Sequence, residues 1–191
     1  MQTTSVLLAG VGGQGTILTA KVLVAGLMHA GYDVKMSEVH GMSQRGGSVT
    51  TQVRFGERVC SPVFGKGAAD ILVAFEKMEA VRYADFLMPD GTAVINDYEL
   101  ATAVTAAGLA EYPAGCMEAM ERSFRCYTLR AGEIANALGT PKCMNIVMFG
   151  AMVKALALES IDWESVIRDT VPEKSVELNL AAYRAGLAAM R

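Results

Sequence analysis

The sequence predicts an α/β fold: a Rossmann-like, doubly wound, mostly parallel sheet with an inserted β-hairpin and C-terminal helices. Short apolar runs at residues 5–10 (SVLLAG) and 70–75 (DILVAF) are typical of buried parallel strands, and helical spacing of apolar residues follows each. A β-branched run at 49–55 (VTTQVRF) turns at Gly56 and Glu57 toward 59–63, which predicts the hairpin. From residue 145 onward the pattern is helical, and strands that alternate with helices imply a doubly wound sheet.

The other elements follow from the same periodicities. Further strands are predicted at 33–39, at 93–96 after the turn Pro89-Asp90-Gly91, and at 125–129. Helices are predicted over residues 14–30, 77–84, 117–122, 131–138, 145–158, 162–170 and 173–189. Gly31 ends the first helix, and Pro172 separates the last two.

Length and composition indicate one domain over residues 1–191. The chain is 52% hydrophobic, and no Pro/Gly/Ser-rich or charge-rich stretch forms a linker. The net charge of −3, with Lys and Arg scattered, argues against nucleic acid as a partner. We also expect a cytoplasmic protein without a membrane partner, because the first residues lack signal-peptide features and no run reaches the roughly 20 apolar residues of a membrane span.

The cysteines and histidines do not form a metal-binding pattern. Cys60, Cys116, Cys126 and Cys143 are too far apart for a CxxC-type signature, and the chain has only two histidines. We therefore predict no metal site and no iron–sulfur cluster held by this chain.

The turn GVGGQG lies between the first predicted strand and helix. Gly10, Gly12 and Gly15 match G-x-G-x-x-G, and Gly12 with Gly13 would let the backbone approach an anion at the helix that starts near Gln14. Three interpretations remain open: a dinucleotide site with Glu38 hydrogen-bonded to the ribose, a site for another anion such as a CoA phosphate, and a structural tight turn.

A second glycine-rich loop follows the strand at 33–39. Such strand ends are where open α/β sheets place ligand crevices. Arg45 offers a planar set of donors suited to a carboxylate or phosphate, and His40 is a weaker acid/base candidate. A solvated surface loop is the alternative. The candidate ligand-binding or partner-facing residues of this loop and strand end are Glu38, His40, Ser43, Gln44, Arg45, Gly46 and Gly47.

Three segments together resemble the gamma-type subunit of the 2-oxoacid:ferredoxin oxidoreductases. They are GVGGQG at 10–15, RGGS at 45–48 and NIVMFGA from residue 145, in the order and spacing of that family. The variant SEVHGMSQRGGSV, with VPEKSVELNLAAYRAG at 171–186, is most similar to the beta subunit of the indolepyruvate branch. The resemblance spans nearly the whole chain.

The resemblance implies a division of labour within a larger enzyme. That enzyme oxidatively decarboxylates a 2-oxoacid, here an aryl pyruvate, forms an acyl-CoA and passes electrons to ferredoxin under anaerobic conditions. Thiamine diphosphate, Mg and [4Fe-4S] clusters are expected on a large alpha subunit, with CoA as cosubstrate. This chain would then carry no cofactor and no catalytic residue, and it would be inactive alone. Its two glycine loops would face CoA, a phosphate or the partner.

Two other function classes remain from the residues alone. GVGGQG with Glu38 also fits a freestanding NAD- or FAD-dependent oxidoreductase, and the same turn fits a nucleotide-binding assembly module without catalysis. Elsewhere we expect structural roles. Asn145 is predicted to cap the helix that follows it, and Glu76, Glu79 and Asp85 to form a solvated helix face.

Overall fold

The computed structural model describes residues 3–40 and 47–190, without the side chains of His40 and Ala103. It contains a six-stranded open sheet in the order β2-β3-β1-β4-β5-β6. The strands are β1 (Thr4–Val11), β2 (Asp33–His40), β3 (Ser48–Gly56), β4 (Ala69–Ala74), β5 (Leu87–Asn96) and β6 (Arg125–Leu129). The pairs β1–β4, β4–β5 and β5–β6 are parallel, whereas β3 runs antiparallel to both β1 and β2. The predicted fold class is confirmed.

Helices connect the parallel strands and complete the C-terminal part. They are α1 (Thr16–His29), α2 (Lys77–Arg82), α3 (Ala103–Ala106), α4 (Cys116–Ser123), α5 (Ala131–Ala137), α6 (Met144–Ala155), α7 (Trp163–Thr170) and α8 (Val176–Ala189). Single 3-10 turns occur at Ala84–Phe86, Pro141–Cys143 and Glu173–Ser175. Every predicted helix is present with its ends shifted by a few residues. Within the described ranges, no helix is long and apolar enough to cross a membrane.

The hairpin is formed by different strands from those predicted. β3 pairs with β2, from Asp33 opposite Gly56 to His40 opposite Val49, and residues 59–63 form no strand. Side chains of the β2–β3 pair bind the backbone at the two ends of that segment: Asp33 accepts the N–H of Val59 at 2.8 Å, and Gln52 accepts the N–H of Phe64, the next residue, at 2.9 Å. Pro62, which lacks an N–H, disfavours a ladder there.

The predicted turn at Pro89-Asp90-Gly91 lies inside β5. The strand starts at Leu87 rather than at residue 93, and its register with β4 shifts between the Ala69 and Ile71 pairs. Such an irregularity accommodates a proline within a strand, because the missing N–H coincides with a break in the ladder.

Helices cover both faces of the sheet. On one face α1, α5, α6, α7 and α8 pack on a large buried cluster, and on the other α2 and α4 pack on a smaller one. Trp163 is 1% exposed and packs edge-on to Phe149, with ring centroids 5.1 Å apart. A Cβ on Gly26 would lie 2.1 Å from the Trp163 ring, so glycine is required where α1 meets this ring. Trp163 is therefore a core anchor.

The backbones of α6 and α8 are in direct contact. A Cβ on Gly150 would lie 2.2 Å from the carbonyl oxygen of Tyr183, and one on Gly186 would lie 2.0 Å from that of Val147. Real Cβ atoms do not come this close to backbone, so either side chain would force the helices apart.

We expect Gly150→Ala and Gly186→Ala each to lower the free energy of unfolding by about 1–3 kcal/mol or more, because a methyl group has no space there. Gly132→Ala is the matched control. Gly132 also lies in a helix, but nothing stands within 4 Å of its Cβ position. Its replacement should raise stability by up to about 1 kcal/mol through helix propensity. Urea denaturation measures all three, and wild-type stability of Gly186→Ala would contradict the packing.

Candidate functional site

The two glycine-rich segments meet at the C-terminal edge of the sheet. Val11, the last residue of β1, lies opposite Ser48, the first residue of β3. Next to this pair, the N–H of Gly12 donates to the carbonyl oxygen of Gly47 at 2.9 Å. The glycine turn and the end of the second loop therefore form one continuous surface.

Part of the predicted site lies outside the described residues. This applies to Ser43, Gln44, Arg45 and Gly46, and for His40 only the backbone is described. Their roles in ligand or partner contact stay predictions. The described candidates at this edge are Gly10, Gly12, Gly13, Gln14, Gly15, Glu38 and Gly47.

The glycines of the turn meet specific steric demands. Gly13 and Gly15 have φ values of 101° and 81°, in the region that disfavours other residues. A Cβ on Gly15 would lie 2.8 Å from Nδ2 of Asn145. Gly13 is exposed, and nothing stands within 4 Å of its Cβ position. Its backbone is thus open to a molecule approaching from solvent.

Gln14 uses its amide within the chain. Its Oε1 accepts the N–H of Val11 at 2.8 Å, and its Nε2 donates to the carbonyl oxygen of Phe75 at 3.2 Å. Asn96 donates to the same Phe75 oxygen at 3.1 Å and accepts the N–H of Ala131 at 3.0 Å. Gln14 therefore ties the turn to the end of β4, which is a structural role for a predicted site residue.

A cleft of about 410 Å³ opens beside the glycine turn. Its walls include Gly13, the exposed Lys142, the nearly buried Asn145 and Asn179, and Ser175. These residues lie at the starts of α1, α6 and α8, so three helix N-termini border the cleft. The ends of the three macrodipoles and the Lys142 ammonium favour an anion on this side of the cleft, and apolar side chains such as Leu18, Val171 and Leu178 line the rest.

None of these three helices has a side-chain N-cap. α1 starts at Gly15, and α8 continues from an uncapped 3-10 turn, so neither first turn has its N–H groups satisfied by a capping side chain. The 3-10 turn before α6 differs, because the Thr140 hydroxyl accepts the N–H of Lys142 at 3.3 Å. Uncapped N–H groups beside a lysine suit a phosphate-sized anion.

The predicted capping role of Asn145 is wrong. α6 starts one residue earlier, and Asn145, only 5% exposed, points across to α1. Its Nδ2 donates to the carbonyl oxygen of Gly15 at 3.4 Å, and its own carbonyl oxygen accepts the hydroxyl of Thr19 at 3.3 Å. Asn145 thus joins the two helices that border the cleft.

The position of Glu38 does not suit a dinucleotide site. Glu38 pairs with Thr51 of β3, and Thr51 pairs with Leu8 of β1. β3 therefore separates Glu38 from the glycine-bearing strand by two strand spacings, roughly 10 Å. In the dinucleotide fold the acidic residue ends a strand directly adjacent to β1.

Glu76 and Glu79 are buried rather than solvated, contrary to the sequence prediction. Their residue exposures are 0% and 2%. Glu76 accepts hydrogen bonds from the N–H groups of Glu79 at 3.0 Å and Leu100 at 3.2 Å, and from the Tyr112 hydroxyl. One sequence signal could have revealed Glu76. It follows a buried strand almost directly, at the edge of the sheet where functional residues are usually found. Asp85, in contrast, is exposed, as expected.

Within the described ranges, no group of three or more His, Cys, Asp or Glu side chains is arranged to hold a metal. All four cysteines are free thiols, and only Cys60 is exposed. Burial raises the pKa of Cys143 and raises that of Cys126 to about 11, so both stay protonated and unreactive near neutral pH.

This open, six-stranded α/β sheet is the fold of solved gamma subunits of ferredoxin oxidoreductases. The chain belongs to the pyruvate ferredoxin/flavodoxin oxidoreductase family, whose model matches residues 5–189. The indolepyruvate oxidoreductase subunit IorB of Thermococcus kodakarensis is 34% identical over an alignment covering all of this chain and 98% of the relative.

Solved structures of ferredoxin oxidoreductases share the fold. The gamma subunit of a keto/oxoacid ferredoxin oxidoreductase from Geobacter sulfurreducens has a TM-score of 0.73 at 22% identity, with 98% of each chain covered. The 2-oxoglutarate:ferredoxin oxidoreductase of Magnetococcus marinus, solved with 2-oxoglutarate, coenzyme A and succinyl-CoA, has a TM-score of 0.75 at 21% identity. All of this chain matches 31% of that longer chain.

The structural role of Gln14 can be tested with Gln14→Glu, which replaces the donor facing the Phe75 carbonyl by an oxygen. At pH 7 we expect the free energy of unfolding to fall by about 1–3 kcal/mol. A protonated carboxyl can donate, so folding raises the pKa of the introduced group, and stability should recover as the pH falls toward 5. Chemical denaturation at both pH values, with wild type alongside, measures the difference. An unchanged stability at pH 7 would contradict this role.

Proposed function

We propose that this chain is the cofactor-free subunit of an indolepyruvate-type 2-oxoacid:ferredoxin oxidoreductase. Its family membership and its full-length similarity to indolepyruvate oxidoreductase subunits support this assignment. The complex would decarboxylate an aryl pyruvate oxidatively, form an acyl-CoA and pass electrons to ferredoxin in an anaerobic cytoplasm. The isolated chain would be inactive.

The cofactors are proposed to reside on a larger partner subunit. Thiamine diphosphate, Mg and [4Fe-4S] clusters would supply the decarboxylation and electron transfer there. The cysteine positions of this chain support that division, because two of the four thiols are buried apart in different elements and none belongs to a CxxC pattern. Its own residues would bind and orient rather than react.

The hydrogen bond from Gly12 to Gly47 is the observation that carries the proposal. It holds the glycine turn and the end of the second loop together beside the cleft that Lys142 and three helix N-termini border. We propose that this surface faces the partner and that the cleft receives a CoA phosphate. Open backbone at Gly13, uncapped helix N-termini and Lys142 favour an anionic ligand. Coenzyme A in the Magnetococcus enzyme of the same fold motivates the choice of ligand.

Arg45 is proposed to contact CoA or the substrate carboxylate from the second loop. In the complex co-expressed with its large subunit, Arg45→Ala should raise the KM for CoA or 2-oxoacid, or the dissociation constant between subunits, by about tenfold or more. Arg122→Ala removes an exposed arginine from α4 and serves as the control. If assembly and both KM values were unchanged in Arg45→Ala, the proposed role of the loop would be wrong.

The ligand of the cleft can be tested with a pair of Gly13 variants. Gly13→Ala and Gly13→Asp both place a side chain at a φ of 101°, which strains the backbone of each, and both have open space. They differ only in the carboxylate. Equilibrium dialysis of CoA against the assembled complex should give about tenfold weaker binding for the aspartate variant than for the alanine variant. Equal binding would count against a CoA phosphate here.

The isolated chain distinguishes the proposal from the dinucleotide alternative. The separation of Glu38 from β1 predicts that NAD and FAD do not bind saturably to the purified chain. Isothermal titration with each nucleotide measures this. Saturable binding at micromolar concentration would favour a freestanding dinucleotide-dependent enzyme instead.

A further inference from the structure

Ser48 is held by a hydrogen bond to the buried carboxylate of Glu79. Its hydroxyl donates to Oε2 of Glu79, and the Tyr83 hydroxyl lies within 2.9 Å of the same Ser48 oxygen. The other carboxylate oxygen of Glu79 accepts Nε of Arg82 at 2.9 Å. Both Glu79 oxygens are therefore engaged, and one of them holds the first residue of β3.

The helix that carries Glu79 is itself fixed by a second buried carboxylate. Glu76 accepts the N–H of Glu79 at 3.0 Å, which sets the first turn of α2. Glu76 is held in turn by the Tyr112 hydroxyl and by the N–H of Leu100. Burial, followed by the hydrogen bond to Glu76, raises the pKa of Tyr112, so this phenol stays a donor at all physiological pH values.

The contact with Ser48 extends to the glycine turn. Gly47 precedes Ser48 in the chain, and its carbonyl oxygen accepts the N–H of Gly12. A fixed Ser48 therefore fixes the direction of the Gly47 carbonyl. An unbroken series of contacts then runs from Glu79 through Ser48 and Gly47 to Gly12.

A buried carboxylate is a costly way to stabilise a strand end, because its desolvation offsets much of the gain from its hydrogen bonds. An apolar pair would stabilise the core as well or better. What the carboxylate adds is direction, since a charge-assisted hydrogen bond is short and fixes the position of its donor. The strand end that Glu79 fixes is the one that joins the two loops of the proposed site.

We infer that Glu79 is a positioning residue that acts through Ser48 to hold Gly47, where the second loop ends, against the glycine turn for the partner subunit. The inference rests on the proposed function, because it assigns the joined loops to the partner-facing surface. Glu79 does not itself touch a ligand in this role. Its effect passes through the Ser48 hydroxyl to the Gly12–Gly47 hydrogen bond.

Ser48→Ala and Asp70→Ala form a matched pair for the test. Each removes one side-chain hydrogen bond at the end of a strand, Ser48 to Glu79 at the C-terminal edge of the sheet and Asp70 to the Ser5 N–H at the opposite edge, so losses of stability should be similar. Only Ser48→Ala should speed amide hydrogen exchange at Gly12 in the isolated chain. Only Ser48→Ala should weaken binding to the co-expressed large subunit, by about tenfold, and Ser48→Thr should restore it by returning the hydroxyl.

The outcomes separate this inference from the proposed function. If Ser48→Ala left Gly12 exchange and subunit affinity at wild-type values while Arg45→Ala weakened binding, the positioning role would be wrong and the proposed function would stand. If Asp70→Ala weakened subunit binding as much as Ser48→Ala, the effect would be general destabilisation, which also overturns the inference. If Arg45→Ala changed neither assembly nor KM values while Ser48→Ala weakened subunit binding, the proposed role of Arg45 would be wrong and the positioning role would stand.

Discussion

The carbonyl oxygen of Phe75 holds the C-terminal edge of the sheet together. Phe75 extends β4, and its N–H donates to the Ala9 carbonyl oxygen of β1 at 2.8 Å. Its own oxygen accepts two side-chain amides, one from Gln14 in the glycine turn and one from Asn96 at the end of β5. Asn96 also accepts the N–H of Ala131, where α5 begins. Both lone pairs of one oxygen thus connect three strand ends, which gives the glycine turn a rigid support.

The position of β3 determines what the glycine turn can recognise. A β2 strand next to β1 would bring its acidic end close to a ribose, as in dinucleotide-binding folds. Here β3 lies between them, so Ser48 and Gly47 become the neighbours of the turn, and Glu38 lies one strand further out. The glycine turn therefore borders Gly47, Ser48 and the cleft rather than an acidic strand end, which supports the proposed anion or partner site over a dinucleotide site.

Local sequence patterns predicted the helices and strands well, because the apolar residues of each element indicate which part of it is buried. Strands with uniform apolar runs, such as 5–10 and 70–75, and the long C-terminal helices appear where expected. Which strand pairs with β3 was not predictable from local sequence. Gly56 and Glu57 are typical turn residues and predicted a hairpin with residues 59–63, but β3 pairs with β2 across a longer connection. Glu76 and Glu79 were misassigned because their hydroxyl partners lie 36 and 31 residues away, where a helical pattern carries no information. Which loops meet at the edge depends on the same long-range pairing.

Amide hydrogen exchange on the free chain and on the assembled complex tests most directly whether the C-terminal edge of the sheet is the functional surface. We expect assembly to protect peptides spanning residues 11–15 and 41–48. The opposite end of the sheet, around Asp90 and Arg125, should exchange at the same rate in both states. Protection confined to that opposite end, with residues 11–15 and 41–48 unchanged, would contradict the central claim that the joined glycine loops face the partner.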